Sequence, residues 1–361
     1  MKLNYILNEK KLKTISDKMK KYFLKTAKIA LILVYLVIVA GALVRMTGSG
    51  MGCPDWPKCF GYYIPPTDIK ELLWTPNHEY FDGQVIIKDE KLLVATKDFK
   101  SSETFENFNF RLYTKHDYAI FNAVETWIEY LNRLVGALAG LAVFVMAILS
   151  FGYWNSNRKI TMFSWLSVFL MGFQGWLGAR VVYSVLNPVK ITIHMIVALI
   201  IVGVLLYIIK KTISKSNNFI IDSKFKNIVI VTLLMTFFQI ILGTQVRQYV
   251  DDMVKIFGYN QMEKVLENPQ ITFYIHRSFS LIILGLNVFL FMRNRKLNLG
   301  FTKINFVITL IGVEVLSGMA MYYLDFPYTS QPIHLVIASL LFGVQFYLFL
   351  ENRYILHHEN S

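Results

Sequence analysis

Eight separate stretches of about 20 mostly apolar residues constrain this chain more than any other feature, because a helix needs that length to cross a bilayer. They lie near 29–45, 132–152, 162–182, 191–209, 227–246, 272–292, 304–323 and 333–350. Backbone groups inside a bilayer have no water to bond, so each stretch is expected to be helical. Only 17% of the residues are charged, below the roughly 25% of soluble domains. The sequence predicts an all-α integral membrane protein with eight transmembrane helices.

Basic residues are concentrated in alternate connections between these stretches. The net charge is +13, nine lysines lie in residues 1–28, and further lysines and arginines lie at 158–159, 210–226 and 293–303. Short loops rich in lysine and arginine face the cytoplasm. The pattern predicts that both termini are cytoplasmic and that the outer loop 46–127 is periplasmic or extracellular. It also indicates that the positive charge reflects the orientation of the chain in a lipid bilayer rather than binding to nucleic acid.

Both cysteines of the chain, Cys53 and Cys59, lie in the outer loop. Two thiols in an oxidising compartment usually pair. We therefore expect a disulfide that staples the loop, and a redox-active role for the same pair is the alternative.

Several motifs near the ends of the apolar stretches occur twice. Residues 41–45 (GALVR) resemble residues 243–247 (GTQVR), and Asn132 with Arg133 aligns with His276 and Arg277. The set Gln174, Gly178 and His194 recurs with the same spacing as Glu314, Gly318 and His334. A repeat of this kind indicates a duplicated structural unit.

The repeat predicts a domain plan of two pseudo-symmetric four-helix bundles. Residues 29–210 form the first half and residues 227–350 the second, joined by a cytoplasmic linker at 211–226. A basic cytoplasmic N-terminus, residues 1–28, precedes them, and a cytoplasmic tail, residues 351–361, follows.

Three histidines, His194, His276 and His334, lie near the outward ends of apolar stretches, where an ionisable group is costly and by default functional. His276 and His334 belong to the sixth and eighth stretches, and opposite helices of a bundle can present two imidazoles to one plane. Imidazole nitrogens ligate haem iron, so the second half is predicted to hold a haem. The alternative is that each histidine forms a hydrogen bond between helices. Structural zinc is disfavoured, because neither a CxxC nor an HExxH motif occurs.

Four arginines occupy repeated positions at outward helix ends, as cationic partners for haem propionates would. They are Arg45, Arg133, Arg247 and Arg277. The alternative is that they anchor helix ends in lipid headgroups.

The first half departs from the second in a way that suggests chemistry. Asn132 stands where the second half has His276, and Glu129 lies one helical turn before it. Residues three and four apart share a helix face, so Glu129 and Asn132 are predicted to line one region with Arg133 and His194. Iron bound by His194 alone would keep an open coordination position, beside which Glu129 could move protons. The alternative is that Glu129 only pairs with Arg133 or a loop lysine.

Taken together, these residues resemble the haem A synthases over nearly the whole chain. The motifs that carry the resemblance are TGSGMGCPDWPKCFG at 47–61, IEYLNR around Glu129, and the segments IHM, IHRSF and IHLVIASLLFG at His194, His276 and His334. The sequence departs from the family signature Glu-x-x-His-Arg at Asn132, so ligation of the substrate haem by two histidines does not carry over.

The resemblance implies a membrane oxidoreductase that oxidises the C8 methyl of haem O to the formyl of haem A for a terminal cytochrome oxidase. It implies haem b on His276 and His334, and haem O in a pocket lined by Glu129 and His194. It further implies a disulfide near that pocket and a location in a bacterial plasma membrane. The partners it implies are haem O synthase and cytochrome oxidase assembly factors, and a homo-oligomer is possible as well.

Two other classes of function fit the same residues. A b-type haem electron carrier would use the same histidines without catalytic activity, and a haem-handling assembly factor or a transporter would use them structurally. Replacing Glu129 separates an enzyme from a carrier. In the outer loop, the segment QVIIKDEKLLVAT at 84–96 predicts a hairpin with a charged turn.

Overall fold

The computed structural model describes residues 2–213, 219–220, 222–258, 261–327 and 329–359. Its helices are α1 (Lys2–Met46), α2 (Ala123–Leu149), α3 (Arg158–Val182), α4 (Pro188–Thr212), α5 (Ser223–Phe257), α6 (Met262–Val265), α7 (Ile271–Lys296), α8 (Lys303–Tyr323) and α9 (Ser330–Glu359). Among the described residues, all of these except the short α6 are long and apolar enough to cross a membrane. The predicted eight-helix membrane fold is confirmed.

Two helices extend furthest beyond the apolar stretches that predict them. α1 begins at Lys2, so the described part of the basic segment 1–28 is helical and continuous with the first span. Lysine favours helix, and no glycine or proline precedes Gly41. α5 continues to Phe257, its last residue, and Gly258 follows as the C-cap, with a φ of 76° that glycine adopts readily. Hydropathy reports the apolar part of a helix, whereas breakers and caps decide where the helix ends.

The chain divides into two compact units. The first comprises Met1–Val39, Ala139–Gly172 and Met195–Ser361, and the second comprises Ala40–Leu138 and Phe173–His194. The predicted arrangement of two pseudo-symmetric bundles stays a prediction.

In the first unit, the helices of the second half pack against one another. α8 contacts α7 and α9, and α5 contacts α7 and α9. Their shared core includes the fully buried side chains of Phe225, Leu290 and Val307. The Asp222 side chain accepts a hydrogen bond from the Phe225 N–H at 2.6 Å and forms an ion pair with Arg293 at 2.7 Å. One carboxylate therefore caps α5 and also links it to α7.

The second unit contains the outer loop, which carries five short strands. They are β1 (Glu79–Tyr80), β2 (Val85–Lys88), β3 (Lys91–Ala95), β4 (Phe99–Lys100) and β5 (Phe110–Leu112). One sheet has the order β2-β3-β5 and the other pairs β1 with β4, all antiparallel. β2 and β3 form the predicted hairpin, and the turn residues Asp89 and Glu90 both have positive φ, 51° and 58°, as a two-residue type I′ turn requires.

Candidate functional site

The first candidate site lies in the second unit, where a loop packs on the start of α2. We call residues 52–61 the cysteine loop, because Cys53 and Cys59 are paired within it. Gly52 lies so close to α2 that a Cβ there would be 2.5 Å from the Glu125 carbonyl oxygen. The Thr126 hydroxyl donates to the Gly52 carbonyl at 2.7 Å. Only a glycine allows this approach of loop to helix.

Two ionisable side chains of α2 hold the cysteine loop. Glu129, only 4% exposed, accepts a hydrogen bond from the Cys53 N–H at 2.8 Å and pairs with Arg133 at 2.5 Å. Arg133 also donates to the carbonyls of Cys53, Asp55 and Lys58 at 3.0, 2.7 and 2.9 Å. Because residues 126, 129 and 133 share a helix face, one face of α2 secures the loop. The ion pair between Glu129 and Arg133 is thus present, and Arg133 binds backbone carbonyls as well.

Asp55 closes the far side of the cysteine loop. Its carboxylate accepts hydrogen bonds from the N–H groups of Phe60 and Gly61 at 2.5 and 2.8 Å. Burial raises the pKa of the Asp55 carboxyl, although the two N–H groups and the nearby Arg133 charge act in the opposite direction.

His194 on α4 faces a glycine of α3. A Cβ on Gly178 would lie 3.7 Å from the His194 Cε1, and the Gln174 side chain donates to the His194 carbonyl at 3.0 Å. Nδ1 of His194 is buried and has no hydrogen-bond partner among the described residues. Asn132 on α2 likewise has a buried Oδ1 without a partner, 4.0 Å from where a Cβ on Gly41 would lie. Buried polar atoms without partners call for an explanation, and a ligand bound beside these small residues is one.

The second candidate site lies in the first unit, between α7 and α9. The imidazole rings of His276 and His334 have centroids 6.4 Å apart and planes inclined by 66°. Two imidazoles on opposite sides of one metal ion, each bonded at about 2 Å, place their ring centroids roughly 6 Å apart. The observed pair therefore fits bis-histidine ligation of an iron between the rings.

The glycine contact seen at His194 recurs here. A Cβ on Gly318 would lie 3.6 Å from the His334 Cε1, and one on Gly243 would lie 3.2 Å from the His276 Cε1. The Gln239 side chain donates to the His276 carbonyl at 2.9 Å. The motif pairs that the sequence repeat relates thus make similar local contacts in each half.

His334 alone among these three histidines has partners at Nδ1 in the described structure. Glu314 Oε2 lies 3.1 Å from this nitrogen and Ser317 Oγ lies 2.9 Å from it. The sequence repeat identifies Glu314, whereas no sequence pattern indicates Ser317, Thr126 or Gln239. These residues follow from helix-face spacing only once the partner helix is known.

The four predicted propionate arginines differ in their contacts. Arg247 pairs with Asp251 at 2.8 Å, and the Arg277 guanidinium lies over the rings of Tyr274 and Tyr322 at 5.7 and 5.9 Å. Arg133 binds the cysteine loop, and Arg45 lies in the last turn of α1. Their role as propionate partners stays a prediction.

Comparison with known proteins gives a family match over most of the chain. The model of the family COX15-CtaA, described as cytochrome oxidase assembly protein, matches residues 25–80 and 77–346. The heme A synthase of Flavobacterium johnsoniae is 22% identical over 346 residues, covering 88% of this chain and 93% of the relative. That of Ehrlichia canis is 24% identical and covers 87% and 88%. That of Orientia tsutsugamushi is 25% identical and covers 90% and 94%.

Proposed function

This chain belongs to the COX15-CtaA family of cytochrome oxidase assembly proteins, and we propose that it is a haem A synthase. In this role it is a bacterial membrane oxidoreductase that converts the C8 methyl of haem O to the formyl of haem A. The product serves a terminal cytochrome oxidase, and haem O synthase and oxidase assembly factors are its expected partners. The outer loop faces the periplasm or the exterior, and both termini face the cytoplasm, since basic connections alternate along the chain.

The observation that carries this proposal is the facing imidazole pair of His276 and His334. These two residues would hold haem b, which transfers electrons one at a time when bound. Arg247, in the C-terminal part of α5, and Arg277, near the start of α7, would orient its propionates. We predict a low-spin spectrum for this haem, because two imidazoles would ligate its iron.

Haem O would bind in the first half, against His194. Asn132 is a poor iron ligand, so His194 would be the sole protein ligand and added haem O should give a high-spin, five-coordinate signal. Arg45 and Arg133 would lie at the propionate edge. A low-spin signal from both haems would contradict this assignment.

Glu129 is the proposed catalytic residue. It is a buried carboxylate whose two oxygens are held by the Cys53 N–H and by Arg133, so its position is fixed without involving bound haem. A carboxylate at this place can accept and return the protons that oxidation of a methyl group releases. A Cys53–Cys59 disulfide would stabilise the loop that presents it.

A b-type haem electron carrier without catalytic activity is the second candidate. Two observations favour it: Asn132 replaces a ligating histidine, and the carboxylate of Glu129 is occupied by an ion pair. A pure carrier would need only the second site.

Co-expression with a haem O synthase, in a host that lacks haem A, tests the proposal. Haems extracted from the membranes are separated by chromatography. The unaltered chain should yield haem A, whereas Glu129→Gln should keep its bound haem b and yield none. Haem b without haem A from the unaltered chain would favour the electron carrier and contradict the enzyme.

A further inference from the structure

The side chain of His334 is held at Nδ1 by two residues of α8. Glu314 and Ser317 are three positions apart, so both face α9, and their oxygens lie 3.1 and 2.9 Å from this nitrogen. The Ser317 hydroxyl donates its own hydrogen to the Glu314 carbonyl at 3.0 Å. Its oxygen is therefore left as an acceptor, as is Glu314 Oε2 when the side chain is ionised.

Two acceptors at one ring nitrogen fix the tautomer of the imidazole. With Glu314 ionised, the hydrogen lies on Nδ1, which leaves the lone pair of Nε2 free to bind a metal. The same two contacts fix the rotation of the ring, so that Nε2 is presented in one direction.

The first half makes a different use of the matching position. There Gln174, the repeat counterpart of Glu314, donates to the backbone carbonyl of His194 and leaves His194 Nδ1 buried without a partner. Nδ1 of His276 is also buried without a partner. Among the candidate ligands of the described chain, His334 is the one whose far nitrogen has a carboxylate beside it.

Among the described residues, the polar contact of the Glu314 side chain is with His334. The side chain of Glu314 is 13% exposed, and its second oxygen, Oε1, is buried without a hydrogen-bond partner in the described part of the chain. A carboxylate in a membrane-spanning helix is costly and is by default functional. Its nearest polar contact is the histidine.

We propose that Glu314 is a positioning residue of the haem b site, which accepts the Nδ1–H of His334 together with Ser317 and lowers the reduction potential of the iron bound at Nε2. This inference rests on the proposed function only in taking His334 as an axial ligand. A carboxylate behind an axial imidazole increases the electron density that the ligand donates and so stabilises the ferric state. The glutamate of the second half and the glutamine of the first, Gln174, would then add to the difference in potential that the different iron ligands of the two haems already produce.

Redox titration of the purified, haem-loaded protein tests the proposal. In Glu314→Gln the haem b should stay low-spin while its midpoint potential shifts to a more positive value. Ser317→Ala should shift it in the same direction by less, because the carboxylate is retained. Glu314→Ala should weaken haem b binding by about tenfold or more, the usual loss when such a supporting residue is removed.

Glu351→Gln is the matched control, because it also removes one carboxylate charge from the same unit. Glu351 pairs with Lys303 and lies on α9 17 positions beyond His334, roughly 25 Å along the helix at 1.5 Å per residue. The midpoint potential of haem b in Glu351→Gln should equal that of the unaltered protein. An unchanged potential in Glu314→Gln, or an equal shift in Glu351→Gln, would overturn the role of Glu314 while leaving the haem site intact. A well-folded protein that binds no haem b would instead contradict the site itself, and this inference with it.

Discussion

Replacing Arg133 with leucine should release the cysteine loop from α2. The guanidinium donates to three loop carbonyls and to Glu129, and the two side chains are only 14% and 5% exposed. Removing one partner of a buried ion pair costs about 3–5 kcal/mol, because the other charge is left unpaired. Arg133 has some access to water, so the lower end of that range applies here.

About 3 kcal/mol corresponds to a roughly 100-fold larger population of the opened loop, since each 1.4 kcal/mol is tenfold. Hydrogen exchange measures that population directly, because the Cys53 N–H is protected by its bond to Glu129. Peptides that span residues 47–61, recovered from protein in nanodiscs, should exchange about 100 times faster in Arg133→Leu. Arg133→Lys should show an intermediate rate, because one ammonium cannot reproduce the planar fork of donors.

The matched control is Arg111→Leu, an exposed arginine on β5 in the same unit. Its loop peptides should exchange at the rate of the unaltered protein. Equal rates in Arg133→Leu and Arg111→Leu would refute the conclusion that Arg133 holds the loop.

Two further predictions concern a close contact and a pH dependence. Gly243→Val should displace the His276 ring, since even the Cβ added there would lie 3.2 Å from the ring, and should lower the haem b content read from the Soret band. Gly312→Val, where a Cβ meets nothing within 4 Å, should leave that content unchanged, and equal losses would contradict the argument. Hydrogen bonds from the backbone N–H of Thr67 and Asp68 hold the pKa of Glu71 below its ordinary value of 4.5. Because the pKa of Glu71 is lower in the folded than in the unfolded protein, the stabilisation is present above pH 4.5 and is lost as the pH falls through the pKa of the folded protein. Hydrogen exchange of the Thr67 amide should become faster in that lower pH range. Glu71→Gln should show no such change.

The eight helices could be predicted because their signal is local. A run of about 20 apolar residues indicates a membrane-spanning helix whatever its neighbours in the fold. A turn at Asp89 and Glu90 between two strand-like segments indicates a hairpin. The extension of α5 to Phe257 was missed for the same reason, since beyond the apolar run only the cap at Gly258 marks the end.

The candidate sites were only partly predictable, because their contacts join residues far apart in the chain. The repeat identified His276 and His334 as a pair, and the structure places their rings 6.4 Å apart. No sequence pattern indicated that Arg133 would bind the carbonyls of the cysteine loop, since backbone carbonyls carry no residue identity. Long-range contacts of this kind depend on how helices pack.

The haem content of the purified protein tests the central claim most directly. Protein supplied with haem should show a low-spin b-type spectrum, which His276→Leu and His334→Leu should each abolish or convert to high spin. His78→Leu, at an exposed histidine of the outer loop, should keep the full spectrum. A well-folded protein without a Soret band, or an unaltered spectrum after both His276 and His334 are replaced, would contradict the account.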